Sequence, residues 1–252
     1  MHNKLNNEKF AAQDNLYEFP YHYLPEKISN GVIKPFRVKY WLFNYLNLIE
    51  YFESFFSRFQ NKNILDFGCG DGRLIYELKK DTKNILHGYE VSSKASMFFK
   101  AFNKKIKLYE GFEELEKMEN CFDYVILSEV IEHIPDKEIN KNIELIHKIL
   151  KNGGEIIVTA PHENLPVHKK HYRHYNSENL LENFPSQKFD LLEKKFLFKK
   201  NIFITILRKI FFNRYFLINS NLLHNLYYKI NKKFFFGDES NCENILLKLK
   251  KK

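Results

Sequence analysis

The run Asn63-Ile-Leu-Asp66-Phe-Gly68-Cys-Gly70-Asp-Gly72 puts a carboxylate near the end of an apolar segment and alternating glycines directly after it. Alternating glycines allow backbone angles that other residues resist. They also let a ligand lie on bare main chain, over the N-terminus of a following helix. Glu90 closes the next apolar run, "NILHGYE", about twenty residues on, where an acid can accept hydrogen bonds from both hydroxyls of a ribose. The spacing is G-x-G-x-G, whereas a dinucleotide site has G-x-G-x-x-G, and Asp66 would repel a pyrophosphate. Asp66, Gly68, Gly70 and Glu90 therefore fit a ribose-bearing ligand with a positive group and no diphosphate. A tight turn, a helix cap and a surface acid would explain each residue singly; their joint spacing favours a site.

The elements that must position these residues alternate in type. "NILDFG", "NILHGYE", "KIKLYEG", "FDYVILSEV" and "GEIIVTAP" read as strands, the fourth with the continuous apolar core of a strand covered on both faces. "DGRLIYELKK", "SSKASMFFKAFNKK" (N-cap Ser92 or Ser93) and the amphipathic "DKEINKNIELIHKILK" read as helices. The last opens near Asp136 and is closed by Asn152-Gly153-Gly154. Beyond the fifth strand, "SENLLENF" reads as helix, "FDLLEKKFLF" as strand, 200–236 as helix and "CENILLKLK" as a last strand. The expectation is an α/β fold with a mainly parallel seven-stranded sheet and helices on both faces. Residues 1–60 would form an N-terminal helical extension or lid. Residues 61–252 would form the ligand-binding domain, with 200–236 a helical insertion before the last strand.

S-adenosylmethionine (AdoMet) is a ligand of the kind described: an adenosine with an amine and no diphosphate. The chain resembles class I AdoMet-dependent methyltransferases from Ile64 to Phe198. "ILDFGCGDGRL" is similar to their motif I, "HGYEVS" to their second motif, "FDYVILSEVIEHIPD" to their fourth-strand signature and "LKNGGEIIVTAP" to the segment entering the fifth strand. "HKKHYRHYNSENLLENF" resembles the stretch that follows in many bacterial members acting on small molecules or glycans. The resemblance implies a methyltransferase on a Rossmann-like fold, with AdoMet as cofactor and S-adenosylhomocysteine as product. It implies that Asp66 orients the methionine amine, Gly68 and Gly70 carry the methionine portion, and Glu90 holds the ribose hydroxyls. Val91 would pack on the adenine, and Ser128 would lie near the methionine end. Phe112 stands where many members have an acid. Either Glu113 takes the adenine contact, or Phe112 stacks on the base and its amide does the recognition.

Methyl transfer from a sulfonium is a direct displacement with the nucleophile in line, about 3–3.5 Å away. An oxygen nucleophile is helped by a general base. The segment "PHENLPVHKKHYRHYN" after the fifth strand is dense in polar groups. His168, His171 and His174, with His133 of "EVIEHIP", are candidates for a base or for positioning substrate. His133 also reads as a loop-holding residue. His162, Arg173 and Tyr175, with Tyr21 and Tyr23 of the N-terminal segment, are candidates for substrate binding. The tyrosines at 17, 21 and 23 read equally as a lid or as core aromatics. The histidine spacing lacks a helical i, i+4 pair and has only Glu163 as acidic partner, so no metal is expected.

The chain has 252 residues, ample apolar material for a core and a net charge of +9. The basic loop points to a small anionic or sugar-like acceptor such as a phosphorylated or nucleotide-linked surface-polysaccharide precursor, while the overall basic excess reads as compositional drift or as the mark of an anionic partner. A nucleic-acid methyltransferase is the second enzymatic reading. "SEVIEH" stands where the D/N-P-P-Y/F of base methylation would lie, and no Pro-Cys nucleophile is present, so nucleic acid is not the expected partner. A scaffold that merely keeps the fold is the non-enzymatic reading. Three cysteines without ligand spacing, no apolar leader and no uncharged apolar run of about 20 residues suggest a cytoplasmic protein with no transmembrane segment. Residues 200–236 fit a substrate lid, a homodimer surface or a helical segment in peripheral contact with a membrane.

Overall fold

A computed structural model describes residues 40–212 and 220–252, together with Ala11, Glu26–Lys27 and Ile33–Lys34. Tyr17, Tyr21 and Tyr23 lie outside the described residues. The two short N-terminal segments pair antiparallel.

One seven-stranded sheet organises the rest. Its strands are β1 (Gln60–Phe67), β2 (Lys83–Tyr89), β3 (Lys107–Tyr109), β4 (Phe122–Ser128), β5 (Leu150–Pro161), β6 (Phe189–Leu197) and β7 (Asn244–Lys251), in the spatial order 3-2-1-4-5-7-6. The pairs within β1–β5 are parallel, and β7 runs antiparallel to both β5 and β6. The strand order reverses at β1 and β4, which opens a crevice at their carboxyl ends. The expected mainly parallel Rossmann-like sheet is therefore present.

The helices are α1 (Tyr40–Phe56), α2 (Arg73–Leu78), α3 (Ser93–Phe102), α4 (Phe112–Glu116), α5 (Asp136–Ile149), α6 (Ser177–Leu181), α7 (Ile202–Phe211) and α8 (Asn221–Lys233). Alternation along the strands sends residues to two cores. Leu65, Phe67, Val125, Leu127 and Ile156 meet Ile139, Ile143 and Ile146 of α5 on one face. Ile64, Tyr124, Ile126 and Ile157 meet Leu48, Phe52 and Phe56 of α1 and Phe99 of α3 on the other. Each fully buried phenylalanine contributes about 1.5–3 kcal/mol of apolar burial.

Asn152-Gly153-Gly154 does not stop α5, which ends at Ile149. The chain turns directly into β5 at Leu150, which pairs with Phe122, and the ladder slips before Tyr124 meets Glu155. A Cβ on Gly154 would lie 2.9 Å from the Lys151 carbonyl and 3.2 Å from that of Asp123. The second glycine thus serves a bulge between β4 and β5.

The helices α7 and α8 lie between β6 and β7, as the sequence suggested. A buried polar chain ties them to α1 and to the start of β7. Asn231 Nδ2 donates to Asn44 Oδ1 at 3.0 Å, and Asn44 Nδ2 donates to Glu243 Oε2 at 2.9 Å. Arg208 closes the chain through an ion pair with Glu243. Rings seal the junction: Phe43 lies 5.1 Å from Tyr227 and 5.6 Å from Phe212. Breaking such a pair leaves a buried charge alone, so Glu243→Ala should lower stability to chemical denaturation by about 3–5 kcal/mol. An apolar double replacement, Arg208→Met with Glu243→Leu, should recover most of that loss.

Candidate active site

The turn after β1 is built by conformations that favour glycine. Gly68, Gly70 and Gly72 have φ of 81°, 56° and 78°. The N–H groups of Gly68 and Cys69 both donate to the Tyr89 carbonyl, at 2.8 and 2.9 Å, so the turn is stapled to the end of β2. A Cβ on Gly68 would sit 2.7 Å from Val130 Cγ2. The main chain of β1 therefore passes against the segment following β4 with no room for a side chain.

Asp66 lies beneath this turn, 4% exposed, and its Oδ2 has no hydrogen-bond partner. Burial, then the neighbouring Glu90 and Asp71, raise its carboxyl to about 7. Glu90 is also buried, and its two oxygens accept from Gly70 N–H at 2.8 Å and Ser92 N–H at 2.7 Å. Ser92 is the N-cap of α3 and accepts from Ala95 N–H at 3.2 Å. Val91, 58% exposed beside Glu90, offers an apolar plate. Phe112 opens α4, half-buried, with Lys141 Nζ 4.0 Å above its ring; Glu113 beside it is exposed.

These residues fit AdoMet. An orphaned buried carboxylate suits the methionine ammonium, and bare glycine main chain suits the methionine portion. The Glu90 carboxylate suits the ribose, and Val91 suits the flat base.

A second group lies across the crevice, past β4 and β5. Ser128 Oγ and Thr159 Oγ1 are 2.9 Å apart. Thr159 Oγ1 donates to Glu129 Oε1 at 2.8 Å, and Asn244 Nδ2 donates to Glu129 Oε2 at 2.7 Å. Glu129 holds φ +57°, a conformation that costs a glutamate free energy and aims its side chain along this edge. Burial raises its carboxyl, opposed by the two donors and by Lys170.

The histidines come together. His133 and His171 rings are 4.7 Å apart, His171 and His174 5.1 Å, and His168 and His171 5.5 Å. His174 Nδ1 faces the Leu165 carbonyl at 2.9 Å, so it carries the proton and donates. Burial lowers the His174 pKa and keeps the ring neutral, so its Nε2 accepts from His171 Nδ1 at 2.8 Å. Burial and then His133 push His171 down to about 2. His133 Nδ1 in turn donates to the Lys170 carbonyl at 3.3 Å, which fastens the loop after β5 to the 3-10 turn Ile131–His133. Glu132, 1% exposed, brings an oxygen near both rings, and its Oε2 has no hydrogen-bond partner. Burial and then Glu129 hold its carboxyl well above the usual range. One ligand atom each of Glu132, His133 and His171 lie within 4.8 Å of one another, so among the described residues this group could share a cation. The expectation of no metal rested on chain spacing, which does not register that approach.

Arg173 is engaged within the fold. Its Nη1 donates to the Ile134 carbonyl at 2.9 Å and the Ile131 carbonyl at 3.3 Å, and Nη2 lies 2.6 Å from Asp136 Oδ1. Tyr175 is buried, with its hydroxyl near Arg173 and the Ile131 carbonyl. His162 is buried and accepts at Nδ1 from Asn164 N–H. Arg173 and Tyr175 are engaged in shaping the loop, whereas His162 Nε2 is buried with no hydrogen-bond partner. Glu129, Glu132, Thr159 and Asn244 escaped the sequence reading. The two acids of "SEVIEH", directly beyond a strand's carboxyl end, were the signal available.

The family described as "Methyltransferase domain" matches residues 40–197, and the chain belongs to it. The chain is 33% identical over 132 residues to a ubiquinone biosynthesis O-methyltransferase of Rickettsia akari (strain Hartford), covering 50% of this chain and 49% of that one. It is 29% identical over 105 residues to the mitochondrial ubiquinone biosynthesis O-methyltransferase of Mus musculus, covering 38% and 28%. A tRNA U34 carboxymethyltransferase of Sulfurimonas denitrificans (strain ATCC 33889 / DSM 1251) is 27% identical over 104 residues, covering 39% and 34%. The chain thus spans less than half the length of these relatives. The fold is that of a SAM-dependent methyltransferase from Archaeoglobus fulgidus, with TM-score 0.56, 15% identity and coverage of 84% and 99%. It is also that of the N-methyltransferase NodS from Bradyrhizobium japonicum WM9 in complex with S-adenosyl-l-homocysteine, with TM-score 0.53, 13% identity and coverage of 83% and 87%. Residues 40–197 are thus a methyltransferase domain with the fold of those solved structures.

The Asp66 carboxyl, raised in the fold, stabilises the free protein most in its acid form; that contribution is lost as pH rises through about 7. A bound ammonium prefers the ionised form, so affinity for S-adenosylhomocysteine should climb with pH to about 7 and level off above it. Calorimetry of Asp66→Asn should show roughly 10- to 100-fold weaker binding and no such climb. A flat profile in the unaltered protein would place the ammonium elsewhere.

Proposed function

We propose that the protein methylates a hydroxyl oxygen of a small anionic or sugar-like acceptor, and that Glu129 receives the hydroxyl proton. A phosphorylated or nucleotide-linked surface-polysaccharide precursor belongs to that class. The observation that carries the reading is the Glu129 carboxylate. It is oriented by Thr159 and Asn244, raised by burial, and set one residue beyond Ser128 at the carboxyl end of β4. The O-methyltransferases among the relatives support oxygen as the acceptor atom.

AdoMet, when bound, supplies an electrophilic methyl group on a positively charged sulfur. A hydroxyl is a weak nucleophile, and its proton must go somewhere as the oxygen–carbon bond forms. A carboxylate with a raised pKa takes that proton more readily than an ordinary one. Lys169 and Lys170 of the loop after β5 favour an acceptor bearing negative charge. His133 and the His171–His174 pair position that loop over the crevice. His168, exposed at its rim, would meet the acceptor.

Glu129→Gln keeps the size of the side chain and removes the base. With labelled AdoMet and pools of nucleotide-sugars, phospho-metabolites and quinone precursors, the variant should lose about 100-fold or more in turnover. S-adenosylhomocysteine binding should stay near that of the unaltered protein. The rate of the unaltered protein should rise with pH through the raised Glu129 pKa, and the variant should lack that limb. Label entering tRNA alone would overturn the small-acceptor reading, and full turnover by Glu129→Gln would remove the base.

A further inference from the structure

We propose that α7 and α8 dock the protein onto a membrane surface rich in anionic lipid. Residues 199–236 hold eight lysines and arginines and not one aspartate or glutamate. This one segment accounts for nearly all of the chain's net charge of +9.

The apolar residues of the same segment are divided between two faces. On α7, Ile204 is buried, while Ile202 (75% exposed), Phe203, Ile206 and Ile210 face outward. At about 100° per residue these four fall within one arc of about 100°. On α8, Tyr227 is buried, while Leu222 (78% exposed), Leu223 and Leu226 form a similar outward arc. Lys209 borders the first arc, Lys229 borders the second, and Lys233 continues the second arc at the end of α8; all three are exposed. Seven large apolar side chains in solvent exceed the scattered exposure of an ordinary surface.

Apolar arcs rimmed by lysines match a bilayer interface, where acyl chains receive the apolar side chains and phosphate headgroups the ammonium groups. A second copy of this chain fits less well. The same faces meeting would bring lysines against lysines, with no acid in the segment to offset them. No described helix is long and apolar enough to cross a membrane, so the contact lies on its surface. The position in the fold agrees. Leu197, ending β6, pairs with Asn244, starting β7, and Asn244 pairs with Pro161, ending β5. The segment therefore leaves the sheet at the edge that carries Glu129.

Flotation of the full chain with vesicles tests the proposal without any methyl transfer, so failure of the acceptor reading would leave it standing. The protein should float with phosphatidylcholine vesicles containing phosphatidylglycerol, far less with phosphatidylcholine alone, and less as salt is raised. Ile206→Glu with Leu226→Glu should weaken binding about tenfold or more, and so should Lys209→Glu with Lys229→Glu and Lys233→Glu. All five positions are exposed, so melting temperatures should hold and show that the variants fold. Two results would overturn the proposal: equal flotation of both variants and the unaltered protein, or an unaltered protein that stays off the vesicles. A dimer by light scattering that Ile206→Glu converts to monomer would reassign the face to self-association.

Discussion

A buried carboxylate with no counter-charge among the described residues is the constraint on which the rest of this molecule turns. Asp66 sits at the end of a strand whose neighbours Leu65 and Phe67 are fixed in the core, so it cannot move out to water. Two further acids, Glu90 and Asp71, raise its pKa beyond what burial alone does. An isolated ionised carboxyl in such a place is costly, and proteins relieve that cost by protonation or by a partner. In the free protein the relief is the proton that a carboxyl raised to about 7 retains, and a bound ammonium would take its place. The strand order sets Asp66 and the glycine turn at the crevice. Affinity and stability are thereby coupled through one proton.

The far side of the crevice repeats this logic. Glu129 is held in a left-handed backbone conformation that relaxation would abandon, and the donors on β5 and β7 keep it there. Val130 follows and fills the place a side chain on Gly68 would need. The two sides of the site are therefore in direct contact, so a change at the glycine turn is felt in the segment carrying Glu129. The histidine chain acts one layer further out. His171 donates to His174, which ends on the Leu165 carbonyl within the loop, and His133 donates to the Lys170 carbonyl, which holds the loop after β5 against the 3-10 turn. Arg173 does the same by donating to the carbonyls of that turn. Much of the basic and aromatic density in the loop is framework, while Lys169 and His168 are exposed at its rim.

How far the sequence reveals this depends on how local each signal is. The β1 turn, the Ser92 cap, the alternation of strands and helices and the insertion before the last strand all rest on residues close in the chain. They are legible for that reason. The Asn152-Gly153-Gly154 run was misread because glycines after an amphipathic helix look alike whether they stop the helix or relieve crowding in a bulged strand. Only the β4 partner distinguishes the two. Asn244 lies more than a hundred residues from Glu129, so no spacing rule joins them. Arg173 and Tyr175 read as ligand-binding residues by type; their bonds to the Ile131 and Ile134 carbonyls, to Asp136 and to each other carry no sequence signature. Glu132 approaches His171 only because the loop after β5 folds back across the turn after β4.

The same dependence on distant pairing explains where the insertion stands. Because β7 runs antiparallel between β5 and β6, a connection leaving β6 must return to the edge of the sheet where β5 ends. Helices inserted there are bound to flank the crevice, whatever their sequence. What the sequence adds is their outward chemistry. Glu243, held by Asn44, neutralises Arg208, and Glu50 pairs with Lys232, which leaves Lys209, Lys229 and Lys233 on the outer side of α7 and α8. A methyl acceptor held at a lipid surface would then meet the crevice from the side on which the protein rests, and the search for it would be reduced from three dimensions to two.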